Sequence, residues 1–323
     1  MSFSSDVKEE IAKHSATARH CQIAELTALV MMCGCVKTGP AKTMSLCMQT
    51  ENRHVARHSY SLLRKLSGQT PELRCMMNKN ALRTKGTTGI LYEIWMTKQE
   101  QCENLLSMMK LDSGDLHTIN PLIYQQTCCK KSFISGAFLA AGSINNPEKT
   151  YHFEIACVSP QSANTLVDIL REFDIEAKTI IRKRYHVVYV KEGAAIVDIL
   201  NIMEAHVSLM NMENVRILKD MRNSVNRRVN CEYANINKTV SAAHRQIEDI
   251  LYIEQCGAYR NLPATLKEIA ELRLQEPDAA LQELGEMLSP PVSKSGVNHR
   301  LRKLSSIAND LRKEHEIQIT KGD

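Results

Sequence analysis

The sequence predicts an α+β protein: a pseudo-twofold domain of two αβαββα-type repeats, followed by an all-α domain. Three observations carry that prediction. A short apolar run with small residues inside and a glycine at its end occurs twice, as AELTALVMMCG (24–34) and SFISGAFLAAG (132–142), 108 residues apart. Each run precedes the same order of strand-like and helix-like segments. Beyond about residue 213 the β-rich stretches stop, and the rest of the chain reads as helix.

The elements follow in order. Residues 3–15 read as a short amphipathic opening helix and 21–33 as the first apolar helix. Strand-like alternation marks TMSLCMQT (43–50), ELRCMM (72–77) and GILYEIWMT (89–97), with a helix at 53–66 between the first two. Residues 99–109 read as another helix. The second set runs CKKSFISGAFLAA (129–141), strand 150–158, helix 160–173, strands 176–183 and 185–191, and helix 193–203. Period-2 alternation supports the strands and period 3.6 the helices. Two copies predict a pseudo-twofold domain rather than a solenoid. The expected domain spans 1–214, with repeats at about 16–112 and 124–206. A basic linker is expected at 215–232 and a helical domain at 233–323. The linker reading rests on VRILKDMRNSVNRRVN (215–230), where five basic residues stand against one acid and apolar periodicity weakens.

The totals set the limits. A chain of 323 residues exceeds what one core usually holds, roughly 250–300 residues, so two or three domains are expected. With 43% apolar and 24% charged residues the composition is that of a globular protein, and no run approaches a membrane span. The N-terminal MSFSSDVKEEIAKH carries acids where a secretion signal would be apolar, so a cytoplasmic location is expected. The net charge is only +5, so a nucleic-acid role has to come from local basic clusters. Eleven cysteines include no C-x-x-C pair, so they are expected to be free thiols, with no metal and no cofactor.

A helix interior usually avoids glycine, at about 1 kcal/mol against alanine. Gly136 and Ala140 share one face, and at the 108-residue shift they correspond to Ala28 and Met32. Small residues on one face allow two helix backbones to approach closely. The interface between the repeated helices is therefore placed on Ala28, Gly34, Gly136, Ala140 and Gly142. The alternative is two ordinary core helices with incidental small residues; the pairing of the repeats favours the first.

The duplicated helix, each copy leading a strand-helix-strand-strand-helix unit, resembles the LAGLIDADG homing-endonuclease fold. The resemblance implies that the paired helices form the central interface, and that the acid before each closing glycine would hold a catalytic divalent metal. Cys33 and Ala141 stand at those two positions, and neither offers the oxygen ligand that Mg²⁺ requires. Glu25 lies too far upstream to substitute, and Glu148 falls in a loop. No catalytic residue and no nuclease activity are expected.

The C-terminal third holds three legible helices. Pro263 opens the first, with Leu266 and Ile269 on its apolar face. Asp278 is the expected cap of the second, whose buried stripe is Leu281, Leu284 and Leu288. Gly285 lies beside that stripe, where a crossing helix could come close. SPPV (289–292) stops the helix, and Ser293 or Ser295 caps a third helix running to about Asn309. That arrangement is a helix-turn-helix candidate. Val297, Leu301, Leu304 and Ala308 form the expected buried face. Ser295, His299, Arg302 and Ser306 form the outward line, flanked by Asn298 and Lys303. No acid occurs between 287 and 309. Ser295, Asn298, His299 and Arg302 suit base edges; Lys294, Arg300 and Lys303 suit phosphates, as do Arg216, Lys219, Arg222, Arg227 and Arg228 of the linker. RKRYH (182–186) is a further basic candidate, with a solvated strand end as its alternative.

The turn SPPVSKSG lacks the usual glycine between the helices and resembles the longer turn of the sigma-factor region 4 domain. The pairing of a degenerate LAGLIDADG domain with LQELGEMLSPPVSKSGVNHRLRKL resembles the WhiA family of bacterial regulators over essentially the whole chain. The resemblance implies a non-enzymatic, sequence-specific DNA-binding transcriptional regulator. It also implies a role in cell division and chromosome segregation, with sporulation duty in some relatives, and a nucleoid-associated location. Double-stranded DNA is the expected partner, with RNA polymerase or another regulator as a candidate second; no membrane or small-molecule substrate is expected. The alternatives are an active metal-dependent homing-type endonuclease, and a partner-binding division protein with secondary DNA contact.

Overall fold

The computed structural model describes residues 2–14, 16–38, 43–77 and 89–320, with side chains through residue 315. The chain divides into two compact units, Met1–Asp220 and Met221–Asp323. The last three residues of the expected helical domain lie outside the described residues.

The first unit is organised by two helices that are apolar nearly all round, a pattern that only a buried helix tolerates. Helix α2 (Arg19–Cys33) is buried at every residue from Ala24 through Met32. Its counterpart α5 (Thr127–Ala141) buries Phe133, Ile134 and Gly136 through Leu139. The two pack against each other at the centre of the unit. A Cβ on Gly136 would sit 2.4 Å from the Glu25 carbonyl oxygen and 3.1 Å from the Ala28 Cβ, so the glycine sets how closely the helices approach.

Each central helix leads a four-stranded antiparallel sheet of the same order. The first is β1 (Gly34–Thr38), β2 (Met44–Thr50), β4 (Ile90–Met96) and β3 (Glu72–Met77). The second is β5 (Gly142–Ile144), β6 (Phe153–Cys157), β8 (Tyr185–Val190) and β7 (Lys178–Arg182). Both begin at the glycine that ends the helix: Gly34 pairs with Met48 and Gly142 with Ile155. A Cβ on Gly34 would meet the Val30 carbonyl at 2.5 Å, and one on Gly142 the Phe138 ring and carbonyl. These glycines, expected at the helix-helix interface, thus clear their own preceding helical turns so that a strand can start without a loop. β1 and β5 add one strand to each expected αβαββα set. At five and three residues they are too short to show alternation.

The outer elements complete the unit: α1 (Phe3–Lys13), α3 (Arg53–Ser67), α4 (Gln99–Met108), α6 (Pro160–Arg171) and α7 (Gly193–Ile202). Helix α8 (His206–Gln255) begins where Glu10 accepts hydrogen bonds from the backbone N–H of Val207 (2.7 Å) and Ser208 (3.0 Å). A carboxylate there satisfies orphan donors and complements the helix dipole. The segment 215–232, expected as a flexible linker, is helical within α8. Between Gly193 and Gly257 the chain has no glycine or proline to break a helix, and its Arg, Lys, Leu and Met residues favour one.

The second unit packs the end of α8, through Ile250 and Ile253, against three helices: α9 (Ala264–Gln275), α10 (Leu281–Met287) and α11 (Lys294–Thr320). Its core holds Leu266, Ile269, Leu284, Leu288, Val297, Leu301, Leu304 and Ala308. α11 runs past the expected end at Asn309. No helix breaker intervenes, and Arg312 ties the helix down by an ion pair with Asp249 at 2.7 Å while lying over the Tyr252 ring.

Candidate nucleic-acid interface

The interface is built on the turn between α10 and α11. At Gly285 it is the turn, not the expected crossing helix, that passes over α10. The Val292 N–H donates to the Gly285 carbonyl at 2.9 Å, and a Cβ on Gly285 would sit 2.1 Å from the Val292 carbonyl oxygen. Ser293 caps α11: its Oγ accepts from the Gly296 N–H at 3.3 Å. α10 starts at Leu281, three residues after the expected cap Asp278, and the Ala280 N–H donates to Glu283 at 2.7 Å instead. The reason lies in Arg273. Its buried guanidinium donates to the carbonyls of Glu276, Pro277 and Ala279, at 3.5, 3.3 and 2.8 Å, and so fixes the loop ahead of α10. Burial also lowers its pKa from the ordinary guanidinium value. Sequence reading passed over Arg273, although an arginine one turn beyond Ile269 on an apolar face was a usable signal.

Burying Val297, Leu301, Leu304 and Ala308 turns Ser295, His299 and Arg302 outward, where all three are exposed, with Asn298 half-buried beside them. Lys294 and Lys303 are exposed at the flanks. Among the described residues, the side chains of His299, Arg302, Lys294 and Lys303 have no hydrogen bond or ion pair. A hollow at the N-terminus of α11 is lined by Leu281, Ser293, Lys294, Ser295 and Asn298. Helix N–H groups and a lysine there suit an anion such as phosphate.

The other expected phosphate contacts divide. Arg300 turns inward, its side chain 23% exposed and its Nη1 3.7 Å from Glu268 on α9. Lys219 donates to the Pro147 carbonyl at 2.7 Å and lies 4.6 Å from the Tyr151 ring centroid, and Arg216 pairs with Glu213 at 3.3 Å. Those three are engaged within the protein. Arg222, Arg227 and Arg228 are exposed on α8. In the 182–186 hairpin, Arg182 pairs with Glu154 at 3.0 Å and Arg184 lies over the Tyr185 ring.

The C-terminal ends of α2 and α5 hold no carboxylate at the nuclease positions. Ala141 is a methyl. The Cys33 thiol donates to the Leu29 carbonyl at 3.1 Å, and burial pushes it up to about 12. Lys8 of α1 acts electrostatically on Cys33; burial lowers its ammonium to about 8. A cation beside Cys33 is unfavourable for a second cation there. The Glu25 carboxylate is committed elsewhere, buried and 2.7 Å from His58 Nε2, while His58 Nδ1 lies 3.1 Å from the Ala12 carbonyl. Burial alone would lower the His58 pKa, but the Glu25 hydrogen bond and charge outweigh it and raise it. At the opposite ends of the two helices the structure gathers His20, Cys21, Cys128 and Cys129, a grouping that sequence spacing did not reveal.

Comparison with known proteins covers nearly the whole chain. Residues 19–109 match the family model described as the WhiA N-terminal LAGLIDADG-like domain, 130–222 the WhiA LAGLIDADG-like domain, and 225–308 the WhiA C-terminal HTH domain. A "Probable cell division protein WhiA" of Lachnoclostridium phytofermentans is 50% identical over 317 residues, covering 97% of this chain and all of that protein. One from Alkaliphilus oremlandii is 44% identical over 323 residues, covering 96% and 98%. Among solved structures, full-length DUF199/WhiA from Thermatoga maritima aligns with a TM-score of 0.58 over 96% of this chain and 99% of that one, at 23% identity, which shows a shared fold.

Proposed function

This chain belongs to the WhiA family, and we propose that it is a non-enzymatic, sequence-specific DNA-binding regulator that acts on the nucleoid in cell division and chromosome segregation. The observation that carries this reading is the outward face of α11. Ser295, His299 and Arg302 are exposed and Asn298 half-buried, and the stretch has no acid between 287 and 309. In the mechanism, α11 enters the major groove. Arg302 reads guanine as a bidentate donor, Asn298 suits adenine, and Ser295 and His299 complete the contact. Lys294 at the helix N-terminus and Lys303 bind phosphates and set the register. Arg222, Arg227 and Arg228 on α8 add salt-dependent affinity. The domain division behind this reading is 1–214 for the degenerate nuclease fold, 215–232 for the basic segment and 233–323 for the reader.

The absence of nuclease activity is supported by Cys33 and Ala141 at the helix ends and by Lys8 beside Cys33. A second reading is a division protein that works through RNA polymerase or another regulator and touches DNA secondarily. It draws support from Arg182, Arg216 and Lys219, basic residues engaged within the fold. The test is genome-wide mapping of DNA bound by the full chain, with a Mg²⁺-dependent cleavage assay on the recovered sites. The proposal expects discrete sites and intact DNA. Cleavage abolished by EDTA overturns the non-enzymatic reading, and a footprint without discrete sites favours the partner-led one.

A further inference from the structure

We propose that His20, Cys21, Cys128 and Cys129 form a structural zinc site that staples the N-terminal ends of α2 and α5. The 108-residue repeat superposes His20 on Cys128 and Cys21 on Cys129, so each central helix contributes two donors from its first turn. The helix crossing brings the pairs together, and the four donor atoms all lie within 4.8 Å of one another. His20 Nδ1 is 3.1 Å from Cys129 Sγ and 3.4 Å from Cys21 Sγ, which makes Nδ1 the ligating nitrogen. In tetrahedral zinc, bonds of about 2.3 Å to sulfur and about 2.0–2.1 Å to nitrogen set donor-donor edges of about 3.5–3.8 Å. The widest separation here needs about 1 Å of closure, within reach of side-chain rotation.

The other thiols behave differently. Cys33, Cys102 and Cys157 donate to the carbonyls of Leu29, Met96 and Ile155, whereas Cys21 and Cys129 face the His20 ring. Cys21 and Cys129 are buried, while His20 and Cys128 are exposed beside a cleft of about 710 Å³, which leaves a path for an ion. Three thiolates and an imidazole suit a borderline-soft d¹⁰ ion, and all four positions are filled by protein, the mark of a structural rather than a catalytic zinc. Loading converts three thiols to thiolates and releases three protons, so uptake strengthens as pH rises. The site lies at the end of the helix pair opposite Cys33 and Ala141, and its donor set excludes Mg²⁺.

The test uses the full chain purified under reductant with zinc present. One zinc per chain is expected. Co²⁺ added after chelation should give tetrahedral d–d bands and a thiolate charge-transfer band, and chelation should lower Tm by about 5–10 °C. Cys129→Ser should lose the charge-transfer band's full intensity and the zinc, while His20→Cys, which keeps four donors, should retain zinc and so control for folding. A chain without zinc and without a cobalt charge-transfer band overturns the site. So does a disulfide among these cysteines under reductant, or a cobalt spectrum unchanged in Cys129→Ser.

Discussion

The central helix pair and α11 are built from similarly simple apolar patterns, yet they present opposite surfaces. α2 and α5 are buried almost all round, and their C-terminal ends carry Cys33 and Ala141, with Lys8 acting on Cys33. α11 buries one stripe and leaves His299 and Arg302 with no partner among the described residues. The pair teaches that its packing depends on the close approach of Gly136 to Ala28 and the Glu25 backbone, and not on a carboxylate at either helix end. α11 teaches the converse. Its outward face contributes nothing visible to folding, so its freedom from acids is explained by something outside the chain, and a polyanion fits.

The largest effects fall on the buried helix pair. His58→Ala leaves the Glu25 carboxylate buried without a partner and should cost about 3–5 kcal/mol, read by chemical denaturation. The same pair sets a pH dependence. The folded pKa of His58 lies above its unfolded value, so the pair's contribution is fully present below about pH 6.5 and is lost as pH rises through the folded value. Melting curves should show that slope in the wild-type chain and not in His58→Ala. Next, Gly136→Val should force α2 and α5 apart against the Glu25 carbonyl and cost about 3 kcal/mol, while Ser135→Ala, one residue away and half-buried, should cost under about 1 kcal/mol.

On the exposed side the effects are smaller for stability and larger for binding. Ser293→Ala removes the α11 cap and should cost about 1 kcal/mol in unfolding free energy. Lys294→Ala and Lys303→Ala should leave the melt within about 0.5 kcal/mol, yet each should reduce the slope of log affinity against log salt by about 0.9. A melt shifted as much as by Ser293→Ala would place those lysines in the fold instead.

The parts legible in the sequence were those with long periodic signals. The buried stripe Val297, Leu301, Leu304 and Ala308 and the paired apolar runs follow from spacing alone. What was hidden depended on backbone clearance and side-chain contacts that periodicity does not encode. β1 and β5 start at glycines whose role is to clear Val30 and Phe138, and they are too short to alternate. The start of α10 is set by Arg273 reaching three loop carbonyls, which displaced Asp278 from the cap. The 215–232 segment looked like a linker because its apolar residues are sparse, but the lack of any glycine or proline there was the stronger signal. The His20, Cys21, Cys128, Cys129 grouping was invisible to motif spacing because its halves are 108 residues apart, although the repeat offset aligns them.

In this proposal α11 reads DNA while the helix pair only holds the fold. The most direct measurement is the affinity of the full chain for its mapped sites and for random duplex, at fixed salt, before and after Arg302→Ala with His299→Ala. The account predicts about a 10–1,000-fold loss on the specific sites, a far smaller change on random DNA, and an unchanged melt. Specific affinity that stays at the wild-type level in this folded double variant would contradict it.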